Sequence, residues 1–311
     1  MMKKTLFAAA TAAALVGCII KQDAPPSGLA RAIPTAEQVS IKLPGGQQRT
    51  IGALADWYVA TRGVTRTFNG GTAWVLVLVH TIVQFPVTSV DGDVYTWGPF
   101  SDALDPAEYK LDVRDVGDGT YTYQLAGRSK IDAAAQGFTV IIDGVADPRN
   151  GDLRGNGSFL VDFDAGRRVN PIDSGDARGS VEVKYDLAAR HLDLQLMSTD
   201  DRGNPVDAYY AYNETADGGG DMVFDIGGDA GGGPELEEIT LRSRWLKTGA
   251  GRADARIAKG NLPAETPEVT ASECWGTTFQ RVFYTDSVNF APTEGSAAEC
   301  AFATSDLPPA K

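Results

Sequence analysis

The sequence predicts a mainly β protein: a large antiparallel meander, forming a curled sheet, half-barrel or sandwich, preceded by one or two short helices. Apolar residues alternate with polar ones from about Val94 almost to the C-terminus, which is the side-chain period of a strand with one buried face. Clusters of Asp, Asn, Gly and Pro separate these segments, and no helical period interrupts them. Such a pattern favours sequential antiparallel pairing over parallel crossover units.

Two hairpins carry the clearest alternation. The first joins 109–113 to 121–125 through Gly117-Asp118-Gly119, and the second joins 181–185 to 192–196. Further candidate strands are Phe138 to Ile142, Ser158 to Phe163, Ala208 to Tyr212, Met222 to Ile226, Glu238 to Trp245, Arg252 to Ile257, Val269 to Trp275 and Thr278 to Tyr284. A sheet of these ten to twelve strands must curl, close or form two layers, because a flat sheet exposes an apolar face and both edges.

Helical spacing occurs only before the alternating region. Ile51 to Thr61 has apolar residues at helical intervals, and the run from Trp74 to Phe85, with Thr72 as its N-cap, predicts a second helix that is apolar on nearly all sides. A buried strand is the alternative for this run, because Val and Ile are frequent in it. We expect these segments to cover the concave side of the sheet.

The N-terminus has the form of an export signal. Lys3 and Lys4 precede an apolar, Ala-rich run that ends at Leu15-Val16-Gly17-Cys18. This tetrapeptide resembles the lipobox of bacterial lipoproteins. The resemblance implies cleavage before Cys18, a diacylglycerol on its sulfur and an acylated amino end, and two or more acyl chains give stable membrane attachment. An ordinary secretory signal cut after Ala12-Ala13-Ala14 is the alternative.

This interpretation divides the chain into four parts. They are a signal peptide (1–17), a lipidated flexible tether (18–39), a single β-rich domain with an N-terminal helical segment (40–302) and a loose C-terminal tail (303–311). The residue directly after Cys18 is Ile19 and not Asp. The absence of Asp at this position resembles the sequence pattern of outer-membrane sorting in enteric bacteria. We therefore expect a lipid-anchored protein of the cell envelope, in the outer membrane, on its periplasmic face or at the cell surface.

Charge and cysteine count agree with that location. The formal net charge is −13, which argues against nucleic acid as a partner. Of the three cysteines, lipidation uses Cys18 and leaves Cys274 and Cys300. In an oxidising compartment we expect these two to form a disulfide, because neither His nor further Cys lies near them to complete a metal site.

The sequence assigns no catalytic, cofactor-binding or metal-ligating residue, and we expect no enzymatic activity. His80 and His191 are the only histidines, so the sequence offers few candidates for the histidine of a Ser-His-Asp or Cys-His catalytic arrangement. The acidic pairs are interpreted as turn formers or solvated strand faces; they are Asp91 with Asp93, Asp162 with Asp164, and Asp200 with Asp201 and Asp207. The last set, with Asn204, is a weak candidate for calcium.

Three function classes therefore stay open. The first and favoured one is a structural or interaction module with an envelope protein as partner. The second is a half-barrel that binds lipid or another apolar ligand, and at the level of architecture the order of helices and meander is similar to lipoprotein carriers and receptors. Its candidate lining is Tyr95, Trp97, Phe100, Tyr121, Tyr123, Tyr209, Tyr210, Tyr212, Trp245, Trp275, Phe279 and Phe283. The third is a carbohydrate-active enzyme with paired carboxylates.

Overall fold

One antiparallel sheet of fifteen strands forms the body of the protein. A computed structural model describes residues 54–66, 86–132, 137–151, 154–174, 178–199, 203, 205–228, 235–288 and 294–307. Every strand pairs with its neighbours in the sequence, so the sheet is an uninterrupted meander. Within the described residues the sheet is not closed. The predicted mainly β fold is confirmed.

The strands are β1 (Ser89–Asp91), β2 (Val94–Phe100), β3 (Ala107–Asp115), β4 (Tyr121–Ser129), β5 (Thr139–Asp147), β6 (Asn156–Asp162), β7 (Ser180–Asp186), β8 (His191–Thr199), β9 (Pro205–Glu214), β10 (Gly220–Gly228), β11 (Glu237–Trp245), β12 (Gly251–Ala258), β13 (Glu268–Trp275), β14 (Arg281–Asp286) and β15 (Glu294–Gly295). Helix α1 (56–66) precedes the sheet, and helix α2 (Phe163–Val169) lies between β6 and β7. A 3-10 turn, Ala297–Glu299, follows β15.

The described strands outnumber the ten to twelve that alternation predicts. The three additional strands are β1, β2 and β15, which are short or interrupted: β1 and β15 have three and two residues, and Gly98 and Pro99 break the alternation within β2. The strand expected at Thr278 begins only at Arg281, because 276–280 form the turn after β13.

Phe163 was expected to end a strand and instead begins α2. Asp162 is the N-cap, and its Oδ1 accepts a hydrogen bond of 2.7 Å from the backbone N–H of Ala165. With seven residues the helix is too short to show a helical period in the sequence. Its Val169 packs toward Gly127 of β4, at the edge of the core.

The period of two divides the sheet into an inner and an outer face. Large side chains of the inner face are almost completely buried; examples are Trp97, Leu111, Tyr123, Ile142, Phe159, Val183, Leu194, Tyr210, Met222 and Leu241. They belong to one hydrophobic cluster that also includes residues of α1 and α2. Since a flat sheet of this width would leave one face open, the sheet curls around its own core.

Helix α1 packs on the inner face near the C-terminal end of the sheet. The ring of Tyr58 stacks on Phe279 with centroids 4.4 Å apart and lies 5.8 Å from the ring of Trp275. The hydroxyls of Thr61 and Ser243 are 2.5 Å apart. Helix α1, the first of the two predicted helical segments, therefore contacts the concave side of the sheet.

The side chain of Glu273 holds the first turn of α1. Its two carboxylate oxygens accept hydrogen bonds from the backbone N–H groups of Asp56 (3.2 Å) and Trp57 (2.6 Å), which have no partner within the helix. Glu273 is completely buried. The guanidinium of Arg281 joins the same carboxylate and also pairs with Asp56 and Glu294.

Two inner-face tryptophans lie against glycines of the adjacent strand. A Cβ at Gly220 would come within 2.3 Å of Trp245, and one at Gly251 within 2.4 Å of Trp275. Each glycine is the register partner of its tryptophan. The missing side chains thus make room for the indole rings on the inner face.

Several predictions fall outside the described residues: the tether, Cys18, the second helix at 72–85 with His80, and residues 308–311. Of the helices in the described ranges, none combines the length and apolar character needed to cross a bilayer.

Candidate functional site

The outer face carries a chain of three shallow grooves that runs across the strands from β5 to β11. The first is lined by Asp143, Val145, Ser158, Leu160 and Glu182, with the backbone of 144 and 159 at its floor. Glu182 is shared with the second, and Gln195 and Tyr209 are shared between the second and the third, which ends at Glu238. We call this continuous feature the outer groove.

The strand register explains why the grooves join. In consecutive strand pairs Asp143 stands opposite Leu160, Leu160 opposite Glu182, Glu182 opposite Gln195, Gln195 opposite Tyr209, and Tyr209 opposite Asp225. Residues in register point to the same face of a sheet. With strands about 4.8 Å apart, six steps from β5 to β11 make the outer groove about 29 Å long.

The charge of the outer groove is strongly negative. Its lining contains one lysine, Lys184, and six carboxylates, which are Asp143, Glu182, Asp193, Asp207, Asp225 and Glu238. Lys184 pairs with Glu182 at 3.1 Å, and Lys259 reaches Glu238 at 2.6 Å from outside the lining. At its β5–β6 end the outer groove also contains exposed apolar side chains beside Asp143, because Val145 and Leu160 are 45% and 39% exposed.

A hydrogen-bonded network forms part of the floor. The carboxylate of Asp193 accepts from the hydroxyl of Tyr209 (2.9 Å) and lies 2.8 Å from Nε2 of His191, whose Nδ1 lies 2.8 Å from Oδ1 of Asn213. Partial burial raises the pKa of Tyr209, and the Asp193 hydrogen bond and charge raise it further, to about 12. The phenol therefore stays neutral at physiological pH and acts as a hydrogen-bond donor.

The same network raises the pKa of His191. Partial burial disfavours the charged imidazolium, but the hydrogen bonds to Asp193 and Asn213, with the charges of Asp193 and Asp186, outweigh it and raise the pKa of His191 above 6.5. The sequence interpretation of His191 as a residue on the wet face of a hairpin agrees with its position on β8. His191 and Tyr209 are held by one carboxylate, a relationship that the pairing of β8 with β9 creates.

The aromatic residues considered for an apolar-ligand site separate into two groups. Those of the inner face are almost fully buried; they are Trp97, Tyr121, Tyr123, Tyr210, Tyr212, Trp245, Trp275 and Phe279. Tyr95 is half-buried against the same core. Phe283 is buried near the disulfide on the other face, Phe100 is 42% exposed, and Tyr209 lies in the outer groove. The structure thus does not bring the twelve residues together as one lining.

The acidic pairs occupy several kinds of position, of which turns and caps are two. Asp162 caps α2, Asp164 accepts from the backbone N–H of Gly179, and Asp93 pairs with Arg114. Asp207 lines the outer groove, whereas Asp200, Asp201 and Asn204 of the calcium candidate lie outside the described residues. Within the described ranges, no three His, Cys, Asp or Glu side chains are grouped to hold a metal ion.

The outer face beyond the groove is basic and is covered by the end of the chain. Arg242, Arg244 and Arg252 project from β11 and β12 and donate to backbone carbonyls of 302–306, which we call the C-terminal strap. Asp254 lies at the centre and is completely buried. Its carboxylate accepts from Arg252, Arg244 and the backbone N–H of Asp306.

The C-terminal strap therefore differs from the loose tail expected at 303–311 over the part that the structure describes. Three buried or half-buried guanidinium groups hold it, and Phe302 lies under Arg244 at 5.0 Å. The Cys274–Cys300 disulfide, predicted from the cysteine count, is formed, with Cα atoms 5.4 Å apart. It joins β13 to Cys300, two residues before the C-terminal strap.

Sequence reasoning did not identify the outer groove. Its acidic residues looked like ordinary solvated strand positions, and only the register of seven successive strands shows that they line one feature. Comparison of the chain with protein-family models, with curated proteins and with solved structures finds no match.

Proposed function

We propose that this protein is an envelope lipoprotein, anchored through Cys18, whose β domain is an interaction module that binds a partner on the outer face of its sheet. The observation that carries the second half of this proposal is the outer groove, a continuous feature crossing seven strands. The inner-face side chains pack into one buried cluster, so the large polar surface open to a partner is the outer one.

The anchor is supported by the N-terminal residues. Gly17 and Cys18 end an apolar run preceded by Lys3 and Lys4, the arrangement that lipoprotein signals share. The residues between Cys18 and α1 are rich in proline, at Pro25, Pro26, Pro34 and Pro44, a composition suited to a spacer between a membrane and a folded domain.

The shape of the domain is compatible with an attached binding module. A buried hydrophobic cluster supports the sheet from its inner face, and the outer groove is built on strands, which hold side chains in fixed relative positions better than loops do. The groove's Tyr209, Gln195 and carboxylates offer hydrogen-bond donors and acceptors along its whole length.

The anchor is tested by the intact mass of the protein isolated from bacterial membranes, compared with Cys18→Ala and with the matched tether variant Ser27→Ala. We expect an added acyl mass in the wild type and in Ser27→Ala, and an unmodified, soluble product from Cys18→Ala. A wild-type chain without acyl mass in the soluble fraction would contradict the anchor.

The module is tested separately, by partner capture in intact cells. A photoreactive side chain introduced at Gln195, in the middle of the outer groove, should give a discrete cross-linked band, and the same group at Glu265, in the exposed loop before β13, should not. Equal cross-linking from both positions would contradict a specific role for the outer face.

A further inference from the structure

We propose that the outer groove binds an extended, lysine- or arginine-rich polypeptide segment with an apolar residue at the end that lies over β5 and β6. This inference deepens the proposed interaction module and rests on it for the existence of a partner. It does not depend on the membrane anchor.

The first argument is charge complementarity along the groove. Six carboxylates on β5, β7, β8, β9, β10 and β11 face one lysine in the lining, and the whole chain has a net charge of −13. A field of one sign concentrated in a cleft attracts a ligand of the opposite sign and speeds its association. Ammonium or guanidinium groups match these carboxylates.

The second argument is the contrast between the two halves of the outer face. The basic half, with Arg242, Arg244 and Arg252, is already covered by the C-terminal strap, whose carbonyls and Asp306 carboxylate accept hydrogen bonds from the guanidinium groups. The acidic half keeps exposed side chains at Asp143 and Asp207. The arginines of the basic half thus pair with a segment of the same chain. The carboxylates of the acidic half would attract a basic segment of a different molecule.

The third argument is length and spacing. An extended chain advances about 3.3 Å per residue, so about nine residues span the 29 Å of the groove, with alternate side chains about 6.6 Å apart on one face. The carboxylates stand on successive strands about 4.8 Å apart, and long lysine and arginine side chains have the reach to adjust to that difference.

The fourth argument places the apolar residue at one end of the groove. The only strand of the groove that contributes no carboxylate to the lining is β6, where Leu160 occupies the position in register, beside Val145 of β5. An apolar side chain at one end of the segment would bury this exposed apolar surface. The groove therefore distinguishes a basic segment with an apolar end from a uniformly basic one.

The test uses the intact protein and a fluorescent nine-residue peptide. The peptide has leucine at position 1 and lysine at positions 3, 5, 7 and 9. Fluorescence anisotropy should show saturable binding that weakens by about tenfold between 50 and 300 mM salt, since exposed ion pairs are screened. A peptide with glutamate in place of lysine should not bind, and one with serine in place of the leucine should bind less tightly.

Isosteric variants locate the site. One variant combines three substitutions in the groove, and it should bind the lysine peptide about tenfold more weakly; the substitutions are Asp143→Asn, Asp207→Asn and Asp225→Asn. The matched control, Asp91→Asn, Glu265→Gln and Glu299→Gln combined, removes the same charge from exposed positions outside the groove and should leave the affinity within about twofold. Equal losses in the two variants would mean non-specific attraction and would overturn the proposal.

A charge reversal keeps the test decisive if the neutral variant folds poorly. Asp207→Lys with Asp225→Lys should reverse the preference, so that the glutamate peptide binds better than the lysine peptide. Failure of the lysine peptide to bind the wild type, or displacement of that peptide by a neutral linear hexasaccharide, would overturn the proposal, the second result by assigning the groove to a glycan. Neither result would bear on the Cys18 anchor, and specific cross-linking at Gln195 could still support an interaction module.

Discussion

Tyr123 on β4 lies across Gly144, its register partner on β5, so closely that a Cβ on the glycine would stand 2.3 Å from the ring. Tyr185 on β7 covers Gly157 of β6 in the same way, with its hydroxyl 2.5 Å from the Cβ position. The two tyrosines approach each other from opposite sides of the β5–β6 pair, and burial, followed by their mutual interaction, raises the pKa of Tyr123 well above 10.

Gly144→Ala should therefore destabilise the protein by about 1–3 kcal/mol, because the added methyl forces the Tyr123 ring out of a packed core. The measurement is the free energy of unfolding from denaturant titration. Gly166→Ala in α2 is the matched control: its Cβ would meet Ile141 at an ordinary 3.7 Å, and alanine favours a helix over glycine by up to about 1 kcal/mol.

A double-mutant cycle with Tyr123→Leu separates this contact from a backbone effect. If the ring causes the penalty, Gly144→Ala should cost clearly less in the Tyr123→Leu background than in the wild type. Additive effects would show that the loss of stability in Gly144→Ala comes from the strand backbone and not from the contact with the tyrosine ring.

The second prediction concerns the attachment of α1. Glu273→Gln replaces a fully buried carboxylate that receives the first N–H groups of α1 and the guanidinium of Arg281. Loss of that charge removes the buried anionic partner of the arginine, which keeps only its exposed partners Asp56 and Glu294, and the anionic partner of the helix end. It should cost about 3 kcal/mol or more. Hydrogen exchange of the α1 amides should rise more than that of β3 or β4.

Glu294→Gln is its matched control, because Glu294 pairs with the same arginine at 3.2 Å but at the exposed end. An exposed pair contributes about 0–1 kcal/mol, so this variant should unfold nearly as the wild type does. Equal destabilisation by the two substitutions would contradict the assignment of Glu273 as the anchor of α1.

The third prediction is a pH dependence centred on His191. Its pKa is raised in the folded protein, so the contribution of its interactions to stability is fully present below about pH 6.5 and is lost as the pH rises through the folded-state pKa. Partial solvent exposure keeps this contribution under about 1 kcal/mol. The proton chemical shifts of the imidazole ring, followed against pH, report the pKa directly.

Asp193→Asn should bring the pKa of His191 down, since it removes the nearest negative charge, while Asp112→Asn on the distant β3 should leave it unchanged. His191→Gln identifies the resonance, because His80 is the only other histidine in the chain. A pKa of His191 at or below 6.5 in the wild type would contradict the prediction.

Much of this fold follows from the sequence, because alternation and turn residues are local signals. They located both hairpins and most later strands, and the cysteine count identified the Cys274–Cys300 pair. The outer groove depends instead on cross-strand register, which aligns Asp143 of β5 with Tyr209 of β9 through four successive strand pairs, although the two residues are 66 positions apart in the chain. Glu273 illustrates the same limit: its partners Asp56 and Trp57 lie more than 200 residues away, and no local pattern marks a carboxylate as a helix cap at that distance.

The last prediction concerns the C-terminal strap. Truncation after Ala301 removes the carbonyl groups that accept from Arg242, Arg244 and Arg252 and exposes the buried Arg252 and Asp254 to water. Hydrogen bonds to charged groups contribute about 1.5–3 kcal/mol each, of which solvation of the released arginines returns a large part. We expect a loss of about 2–4 kcal/mol in the free energy of unfolding. Truncation after Leu307 retains 302–306 and should unfold like the intact chain. If the shorter chain is equally stable, the arginines do not need the C-terminal strap, and Asp221 of β10 and Asp254 of β12 are sufficient to pair with them.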